Sequence, residues 1–500
     1  MSIPNAKESA PLHGEVYSVS LLGLVATLIT VMATIEPGPS TFDLIGLAEP
    51  CVQGTKSRVL SAFARVGQWF DDCRVKVQFS RNGLRHDGML DLAVATAVLM
   101  ALKQKALPRA VVLGELWPSG ALRAARGALP ALLGVRDVSG AIVPWNNGPE
   151  TACLEHMEVR VAGHLGDVID YLDGTRELKL ARSFPKPRRT DFRDMADIRG
   201  LRAGRRAIEI AAAGLHPLLL VGSPGSGKTM LSSRLPTVLP EMSHPEALEV
   251  TSIHSVAGQL EEHEQGLLIE RPFRIPHPKV GAEILVGRGF PPRPGEVSLA
   301  HHGVLFLDDI QTVHTGALSA LDNALGAGQV ELSKRVTFPA RPLIVAGTFA
   351  CPCGFHGVKD RECKCSPERI RAYRERQRGP VFDRLDMRAL VSGDATEGPP
   401  RECSSAVRAR VVKAREAQQR RFEREEASEP VNGRLGLSDL ERVAEPDRKG
   451  RRMLGQAGLS DELEAKVLRV SRTIADLDGS DAVRARHVAE AIAMAPLTEN

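Results

Sequence analysis

The stretch Leu218-Leu-Leu-Val-Gly-Ser-Pro-Gly-Ser-Gly-Lys-Thr229 joins a short apolar run to a glycine-rich loop that ends in a lysine-threonine pair. Its last eight residues match G-x-x-x-x-G-K-[ST], the pattern of a phosphate-binding loop. An apolar strand should precede such a loop and a helix should follow it, and the apolar residues Met230, Leu231 and Leu235 have the spacing of a helix. This context predicts a nucleotide-binding P-loop, because glycines let backbone N–H groups surround phosphates at a helix N-terminus.

The P-loop pattern also predicts a role for each residue type. The ammonium of Lys228 reaches the terminal phosphates of ATP, and the hydroxyl of Thr229 ligates Mg²⁺. A fortuitous glycine loop is the alternative interpretation. The predicted nucleotide ligands are Gly222, Ser223, Pro224, Gly225, Ser226, Gly227, Lys228, Thr229 and Met230.

A second apolar strand, Gly303-Val-Leu-Phe-Leu-Asp-Asp309, ends in two carboxylates. Alone this pattern is weak evidence, since apolar strands followed by acids are common. Behind a P-loop it predicts that Asp308 holds Mg²⁺ through water and that Asp309 polarises the attacking water.

Cys351, Cys353, Cys363 and Cys365 form the pattern C-x-C-x₉-C-x-C. Four thiolates suffice for one tetrahedral zinc ion, although the more usual C-x₂-C pairs are absent. Unliganded thiols packed in a loop, or redox chemistry, are the alternatives, and His356 is a possible substitute ligand.

Composition limits the remaining possibilities. The 500 residues correspond to about three domains. A formal net charge of +4 leaves any polyanion site local. Eight cysteines are too few for a disulfide scaffold, and the crowding of four of them into Cys351–Cys365 favours a reducing, cytoplasmic compartment. The uncharged run from Val16 to Ile35 is long enough to cross a membrane, but its β-branched residues and Gly23 favour a pair of buried strands.

The pattern along the chain changes four times. Residues 1–174 alternate apolar runs with turns and include a predicted helix over Leu90–Leu102, which indicates a compact α+β domain. A basic linker is predicted over 175–194. Over 195–395, strands such as Leu343–Ala346 alternate with helices, which favours a parallel sheet covered on both faces. Residues 396–435 hold a charged helix over Ser404–Glu426 and a connector. Residues 436–500 are predicted to be a helical domain, with its helices from about Ser460 to Ala495.

Three arginines allow two interpretations each. Arg384 is flanked by acids, as in a surface ion pair, but a ring ATPase places an arginine finger in such a position. Arg469 and Arg472 lie three residues apart on one predicted helix face, which is either solvated or a phosphate sensor.

With these motifs in place, the chain closely resembles the magnesium-chelatase-like AAA+ ATPases of the competence protein ComM group. The resemblance covers nearly the whole chain and is highly specific. It rests on VYSVSLLGL from Val16, VVLGELWPSGALRAARGALPALL from Val111, VGSPGSGKTMLSSRLP from Val221, EALEVTSIHSVAG from Glu246, RPFRIPH from Arg271, PRPGEVSLAHHGVLFLDD from Pro292, CPCG from Cys351 and LRVSRTIADLDG from Leu468.

The resemblance implies a multidomain α/β protein with a Lon-protease-like N-terminal domain of the ribosomal S5 type, an AAA+ P-loop core and a C-terminal helical lid. It implies a homohexameric, ATP-driven DNA translocase that promotes branch migration on single-stranded or branched DNA, with no membrane partner. Arg384 would be the arginine finger that acts in trans, and Arg469 the sensor arginine. The loop between Ile253 and His277 and the hairpin over Val330–Arg335 would face DNA.

The sequence departs from the family pattern at several positions. The family's second strand usually ends Asp-Glu, whereas here the second acid is Asp309, which is one methylene shorter. Phe349 replaces the asparagine expected to sense the γ-phosphate, and Thr348 could compensate. Asp87-Gly88-Met89-Leu90 stands where a peptidase would have its serine loop, so we expect no peptidase. A hydrolysis-poor, nucleotide-gated scaffold is therefore the second functional hypothesis. A chelatase ATPase subunit is the third, and residues 1–174 argue against it.

Overall fold

The computed structural model describes residues 10–85, 88–183, 193–260, 266–289, 292–358, 361–392 and 402–496. Within these ranges the chain forms an N-terminal unit around a mixed eight-stranded sheet, a second unit around a parallel five-stranded sheet, and a helical C-terminal region. This architecture confirms the predicted mixed α/β class and the parallel sheet behind the P-loop.

Among its described residues, the N-terminal unit has ten strands; eight form one sheet in the order β10-β9-β8-β5-β1-β2-β4-β3, and β6 and β7 pair separately. Apolar and polar residues alternate in β4, and its buried positions alternate in the same way, because successive side chains point to opposite faces of a sheet. The strands are β1 Leu12–Leu22, β2 Val25–Pro37, β3 Thr41–Ile45, β4 Cys73–Phe79, β5 Ala110–Val112, β6 Glu115–Leu116, β7 Leu122–Arg123, β8 Gly140–Pro144, β9 Glu158–Ala162 and β10 Lys179–Leu180.

The long apolar run near the start of the chain forms the antiparallel hairpin β1–β2, as predicted. Gly23 turns this hairpin with a φ of +64°, a conformation that favours glycine. No helix among the described residues has the length and apolar character needed to span a membrane.

Five helices pack on the first sheet, and one of them is almost wholly buried. Residues Asp91 to Ala101 of this helix are all buried, and its C-terminus is Gln104 in the left-handed conformation. The helix agrees with the prediction over Leu90–Leu102. The five helices are α1 Glu49–Arg65, α2 Asp91–Lys103, α3 Ala128–Leu133, α4 Gly148–Thr151 and α5 Leu165–Asp173.

The second unit is built on five parallel strands in the order β12-β15-β18-β11-β19. The first of them in the chain, β11, therefore lies between β18 and β19, with helices on both faces. Its strands, with two short hairpins, are β11 Leu218–Val221, β12 Phe273–Arg274, β13 Gly287–Arg288, β14 Arg293–Pro294, β15 Val304–Leu307, β16 Gln329–Ser333, β17 Val336–Pro339, β18 Leu343–Thr348 and β19 Met387–Leu390. Its helices are α6 Arg202–Gly214, α7 Lys228–Ser232, α8 Leu235–Val238, α9 His244–Ala257, α10 Ala282–Val286, α11 Glu296–Leu299, α12 Thr315–Ala327, α13 Pro367–Glu375 and α14 Pro380–Asp383.

The C-terminal region consists of α15 Ser404–Glu423, α16 Leu437–Val443, α17 Arg448–Ala457, α18 Asp461–Leu477 and α19 Ala485–Ala493. The prediction placed the helices of residues 436–500 only from about Ser460 onward, but α16 and α17 lie before that point. Helix α17 is amphipathic, but most of its residues are charged or small, and it buries only Gly450 and Leu454. The charged helix α15 is also more than part of a connector, since Val407, Val411 and Ala414 belong to the same core as the second sheet.

The predicted basic linker over residues 175–194 begins with structure. Lys179 and Leu180 pair with Arg160 and Val161 and add an antiparallel edge strand to the first sheet. Both side chains are exposed, so the strand carries no apolar alternation by which the sequence could reveal it. The basic residues Lys186, Arg188 and Arg189 lie outside the described residues.

Helix α9 joins the two sheet-containing units. The N–H of Gly127, before α3, donates to the carbonyl of Ser255 in α9 at 3.2 Å. The carboxyl group of Glu150 in α4 is buried at this contact, faces the Ser255 hydroxyl, and accepts a 2.6 Å hydrogen bond from the Asn147 amide. Burial raises the pKa of Glu150 to about 7.

This buried carboxyl group predicts a pH-dependent stability. Between an ordinary pKa of about 4.3 and the folded value of about 7, the folded chain binds the proton more tightly than the unfolded chain, so stability falls as pH rises through this interval. Glu150→Gln keeps the acceptor for Asn147 and should raise the free energy of unfolding by about 3 kcal/mol above pH 7 but hardly at all near pH 4. Urea denaturation at both pH values measures the difference.

The matched control is Glu155→Gln, which changes an exposed carboxylate of the same region and should alter stability equally at both pH values. If Glu150→Gln instead changed the free energy of unfolding equally at both pH values, burial would not raise the pKa of the Glu150 carboxyl group.

Candidate functional site

The parallel order of the second sheet brings the predicted motifs together. The P-loop follows β11, Asp308 and Asp309 follow β15, and Phe349 follows β18, so all three segments leave the same edge of the sheet. Because β18 pairs with both β11 and β15, the three segments are neighbours. Ligands of open parallel sheets bind at this carboxyl edge.

The P-loop takes the shape that its glycines allow. Gly225 and Gly227 have φ values of +75° and +99°, and α7 begins at Lys228 immediately afterwards. Gly222 lies so close to the neighbouring strand that an added Cβ would be 2.4 Å from the carbonyl oxygen of Val391. The loop therefore leads directly into the N-terminus of α7, the arrangement in which backbone N–H groups surround a bound phosphate.

Lys228 is buried inside this loop. Its Nζ donates to the carbonyl oxygens of Gly222 at 2.8 Å and Ser223 at 3.0 Å. Burial lowers the pKa of Lys228, while the charges of Asp308 and Asp309 oppose this effect. The ring of Phe349 lies 4.5 Å from Nζ, so the residue at the predicted sensor position contacts the P-loop lysine through a cation–π interaction.

The two carboxylates differ in environment. Asp309 has a φ of +47°, in the left-handed region that aspartate tolerates better than most residues. Burial and then the neighbouring charge of Asp308 raise the pKa of Asp309, against the opposing charge of Lys228. An added Cβ on Gly347 would lie 3.1 Å from Oδ1 of Asp308, so the absence of a side chain there makes room for the carboxylate.

Within the described part of the chain, several buried polar atoms around the loop have no hydrogen-bond partner. They are Ser226 Oγ, Asp309 Oδ1, Thr348 Oγ1 and the hydroxyl oxygen of Tyr373. Buried polar groups in folded proteins are normally paired, so these four atoms fit a site that takes a polar ligand. The oxygens of Thr229 and Asp308 are the donor type that Mg²⁺ prefers. The residues present therefore fit a magnesium-bound nucleotide triphosphate.

Sequence reasoning missed Tyr373. This side chain comes from α13, where it faces Thr348 and Asp309, and burial raises the pKa of its hydroxyl. No sequence motif marks Tyr373, because its position depends on how α13 packs beside the carboxyl edge. Thr348, by contrast, lies where the sequence placed it, at the end of β18.

The four predicted cysteines meet beside the P-loop. Their sulfur atoms all lie within 4.8 Å of one another, with three separations of 3.3 to 3.6 Å. Four sulfurs around a tetrahedral zinc at 2.3 Å are about 3.8 Å apart, so this donor set fits zinc. The side chain of His356 is not part of the group, although its backbone N–H donates to Cys351. An added Cβ on Gly354 would lie 2.6 Å from Pro224, so the cysteine loop packs directly on the P-loop.

A second cluster contains Glu249, His301 and His302. The Nδ1 atom of His301 accepts the Arg341 N–H at 3.1 Å, so neutral His301 carries its proton on Nε2 and donates it to Glu249 at 2.9 Å. Burial lowers the pKa of His301 to about 4. A metal would need the nitrogen that holds this proton. The cluster is therefore better described as a set of hydrogen bonds, here called the histidine clamp, by which His301 and His302 hold the segment before β15 against Glu249 of α9.

Arg384 and Arg469 lie at the opposite edge of the sheet from the P-loop. Both line a cleft of about 690 Å³ that is also lined by Pro217 and Leu343, which stand at the amino ends of β11 and β18. The six residues of β18 at about 3.3 Å each separate the two edges by roughly 20 Å. Neither arginine can therefore reach a nucleotide in the P-loop of its own chain.

The contacts of these arginines differ. Arg384 pairs with Asp322 and is half-exposed, whereas Arg469 donates to the carbonyl of Leu435 at 2.8 Å. Arg472 is fully buried and pairs with Asp476, so the prediction of a solvated or phosphate-sensing role is wrong for this residue.

The two predicted DNA-facing segments have different structures. The hairpin β16–β17 forms as expected, with Lys334 and Arg335 exposed at its tip. The predicted loop after Ile253 begins later, because Ile253 is buried in α9, which ends at Ala257. Residues 261–265 of that loop lie outside the described residues.

A P-loop after the first strand of a parallel sheet, with paired carboxylates after a strand separated from it by one intervening strand, defines a nucleotide-binding protein of the AAA+ ATPase type. Sequence profiles of one family match three parts of the chain. The profile described as "Magnesium chelatase, subunit ChlI" matches residues 194–397, its C-terminal counterpart matches 401–495, and "Subunit ChlI of Mg-chelatase" matches 31–147. The chain belongs to the magnesium-chelatase-like AAA+ family of ComM and YifB proteins.

Similar proteins extend over almost the whole chain. "Competence protein ComM" of Haemophilus influenzae is 35% identical over 95% of this chain and 96% of its own length. The uncharacterized protein YifB of Escherichia coli is 33% identical over 95% of this chain and 96% of its own length. An uncharacterized protein of Mycobacterium tuberculosis is 34% identical over 96% of this chain and 98% of its own length. These similarities confirm the family resemblance drawn from the sequence motifs.

The cysteine geometry predicts one zinc ion per chain. Protein purified without chelator should contain one equivalent of zinc by elemental analysis, and the double variant Cys363→Ser, Cys365→Ser should lose it, because two thiolates cannot complete the tetrahedral site. Cys403→Ser is the matched control, since Cys403 is exposed and lies outside the cluster. An absence of metal together with ready alkylation of all four thiols would contradict the site.

Proposed function

We propose that this protein is a ring-forming, DNA-dependent ATPase that moves DNA strands during recombination. The proposal rests on one observation: the groups expected to act on ATP are divided between two opposite edges of the second sheet. The P-loop and carboxylates lie at one edge of the sheet, and Arg384 and Arg469 lie at the other. A complete site then needs two copies of the chain.

The first half supplies nucleotide binding and proton transfer. The P-loop amides and Lys228 hold the phosphates, and Thr229 and Asp308 would hold Mg²⁺, which neutralises charge on the phosphates. Asp309 is the general base that orients and deprotonates the attacking water. Its unpaired Oδ1 leaves one carboxylate oxygen available for this contact.

The second half supplies positive charge from a neighbouring subunit. Arg384 stabilises charge that develops on the transferred phosphate, as an arginine finger does, and Arg469 contacts the same nucleotide as a sensor. A closed homohexamer, expected from the family resemblance, places such a pair at every interface. In this arrangement the Asp322 carboxylate holds the finger in position until the interface forms.

The DNA partner is supported by surface charge and by a relative. Lys334 and Arg335 project from the tip of an exposed hairpin, where they are able to contact phosphates. The relative from Haemophilus influenzae carries the name of a competence protein. We place the work of this chain in the cytoplasm, on single-stranded or branched DNA.

A hydrolysis-poor scaffold is the second candidate function, and two observations favour it. Asp309 is a methylene shorter than the glutamate that the family uses, so it stands about 1 Å or more from the expected water position. Phe349 has no hydrogen-bonding group and packs on Lys228 instead. The hydroxyl groups of Thr348 and Tyr373 lie near Asp309 and would orient the attacking water in place of the missing asparagine.

Turnover measurements decide between the motor and the scaffold. We expect basal hydrolysis below about 1 per second, because positioned proton transfer contributes roughly 10²- to 10⁴-fold and is weakened here. Single-stranded DNA should stimulate phosphate release. Asp309→Glu should raise the rate, Phe349→Asn should raise it further, and Tyr373→Phe should lower it.

Lys228→Ala is the control for this measurement, and it should lower turnover by at least about 100-fold. If DNA failed to stimulate both the natural chain and Asp309→Glu, the motor would be excluded. If the natural chain hydrolysed ATP rapidly on DNA and Asp309→Glu slowed it, the scaffold hypothesis would lose its support.

The shared site also predicts complementation between inactive variants. Lys228→Ala and Arg384→Ala subunits should each form inactive rings, but mixed rings should recover part of the turnover because some interfaces join an intact P-loop to an intact arginine. Native mass spectrometry verifies mixing, and a titration of one variant into the other measures the recovery. Mixed rings without any recovery would contradict a trans role for Arg384.

A further inference from the structure

The three tryptophans of the chain are all substantially exposed. Trp69, Trp117 and Trp145 have relative exposures of 63%, 51% and 48%. Tryptophan is highly buried on average, and an exposed indole ring forgoes the favourable burial of a large apolar surface. Two of the three, Trp117 and Trp145, lie on connected segments of the N-terminal unit.

The backbone holds Trp117 firmly in place. The N–H of Trp117 donates to Ala121 and its carbonyl accepts from Gly120, both at 2.9 Å, which closes the turn between β6 and β7. Gly120 has a φ of +87°, and its own carbonyl accepts from the Leu165 N–H at 2.8 Å. The exposed ring therefore projects from a rigid turn.

Trp145 is fixed by the residue two positions later. The Asn147 side chain accepts from the N–H of Ala125 at 2.8 Å and donates to the carbonyl of the same residue at 2.9 Å. Ala125 follows β7, so this pair of hydrogen bonds ties the Trp145 segment to the strand that carries Arg123. The segment also contacts β9, the partner of the edge strand β10.

A cation lies over each of the two rings. The guanidinium carbon of Arg123 is 5.9 Å from the centre of the Trp117 ring, and Nζ of Lys179 is 5.5 Å from the centre of the Trp145 ring. In the part of the chain that the structure describes, neither cation has a carboxylate within 4.0 Å. We call these four residues the aromatic-cationic surface.

We propose that the aromatic-cationic surface binds single-stranded DNA by stacking bases on Trp117 and Trp145 and by pairing Arg123 and Lys179 with phosphates. The proposal rests on the proposed function, which makes DNA a partner of this chain. It adds a binding site in the N-terminal unit, separate from the hairpin tip at Lys334 and Arg335.

The chemistry of the surface selects single strands. Bases in a duplex stack on each other and are not available to a protein ring, whereas a single strand exposes a π-face at every base. Rigid rings lose little entropy on binding, and unpaired cations complement the phosphate charge. Tryptophan and arginine also occur at protein interfaces. Here, however, Arg123 forms no ion pair within 4.0 Å even with Glu115, its cross-strand neighbour in the part of the chain that the structure describes, and a cation left without a carboxylate favours a polyanion.

The test uses the full chain and a fluorescein-labelled oligo-dT of about 30 nucleotides, without ATP, at low salt. Each of Trp117→Ala and Trp145→Ala should weaken binding by between about 5-fold and 150-fold, the usual effect of removing one stacking ring. The double variant Trp117→Phe, Trp145→Phe should keep most of the affinity because phenylalanine also stacks. Trp69→Ala is the matched control, since it removes an equally exposed ring elsewhere, and it should bind as the natural chain does.

A second readout reports stacking directly. In a Trp69→Phe background Trp117 and Trp145 are the only tryptophans. Unlabelled oligo-dT should quench their fluorescence on selective tryptophan excitation, while a duplex of equal length should quench it far less. If the natural chain binds oligo-dT but both alanine variants bind equally well, or if the two tryptophans are not quenched, this site is refuted and the proposed function is unaffected. If the natural chain binds no DNA of any form, the DNA partner of the proposed function fails as well.

Discussion

The parallel pairing of β15, β18 and β11 is the constraint on which the rest of this structure depends. Val304 to Leu307 pair in register with Leu343 to Ala346, and Leu218 to Val221 pair with Val345 to Thr348. This register alone is sufficient to place the P-loop, the two carboxylates and Phe349 at one edge of the sheet. The parallel pairing of β19 with β11 puts Arg384, which precedes β19, at the other edge, and the packing of α18 brings Arg469 to the same cleft.

Several polar side chains lie close together at the carboxyl edge of the second sheet, and only some of them have hydrogen-bond partners. Lys228 is held by two P-loop carbonyls and by the Phe349 ring, whereas Asp309, Thr348 and Tyr373 keep unpaired oxygens. The loop of four cysteines packs against Pro224 on the other side. Because burial and the charge of Asp308 already disfavour a second negative charge at Asp309, the nearby ammonium of Lys228 is what makes the pair of carboxylates tolerable.

The sequence was informative where the chemistry is local. The P-loop, the strand that leads to Asp308 and Asp309, and the β1–β2 hairpin are each encoded by a few consecutive residues and formed as predicted. The four cysteine sulfurs lie together, and their zinc ion stays a prediction. The sequence was uninformative where position depends on packing between distant segments. Tyr373 reaches the site through the placement of α13, and Arg472 is buried because Asp476 and the turn after α18 surround it. The edge strand β10 buries neither of its side chains, and α17 is amphipathic but has few apolar residues in a highly charged stretch, so composition alone gave both a loop-like appearance.

Helix α9 shows how one element connects these regions. A capping box between Ser243 and Glu246 begins the helix, and Gly258 ends it in the left-handed conformation. On one side, Ser255 meets Glu150 and the chain before α3 in the N-terminal unit. On another, Glu249 accepts from His301 and His302, whose chain continues directly into the strand that ends at Asp308. Because one rigid helix makes both contacts, the unit that carries the aromatic-cationic surface cannot move away from the strand of the two carboxylates without exposing a buried carboxyl group or breaking the histidine clamp.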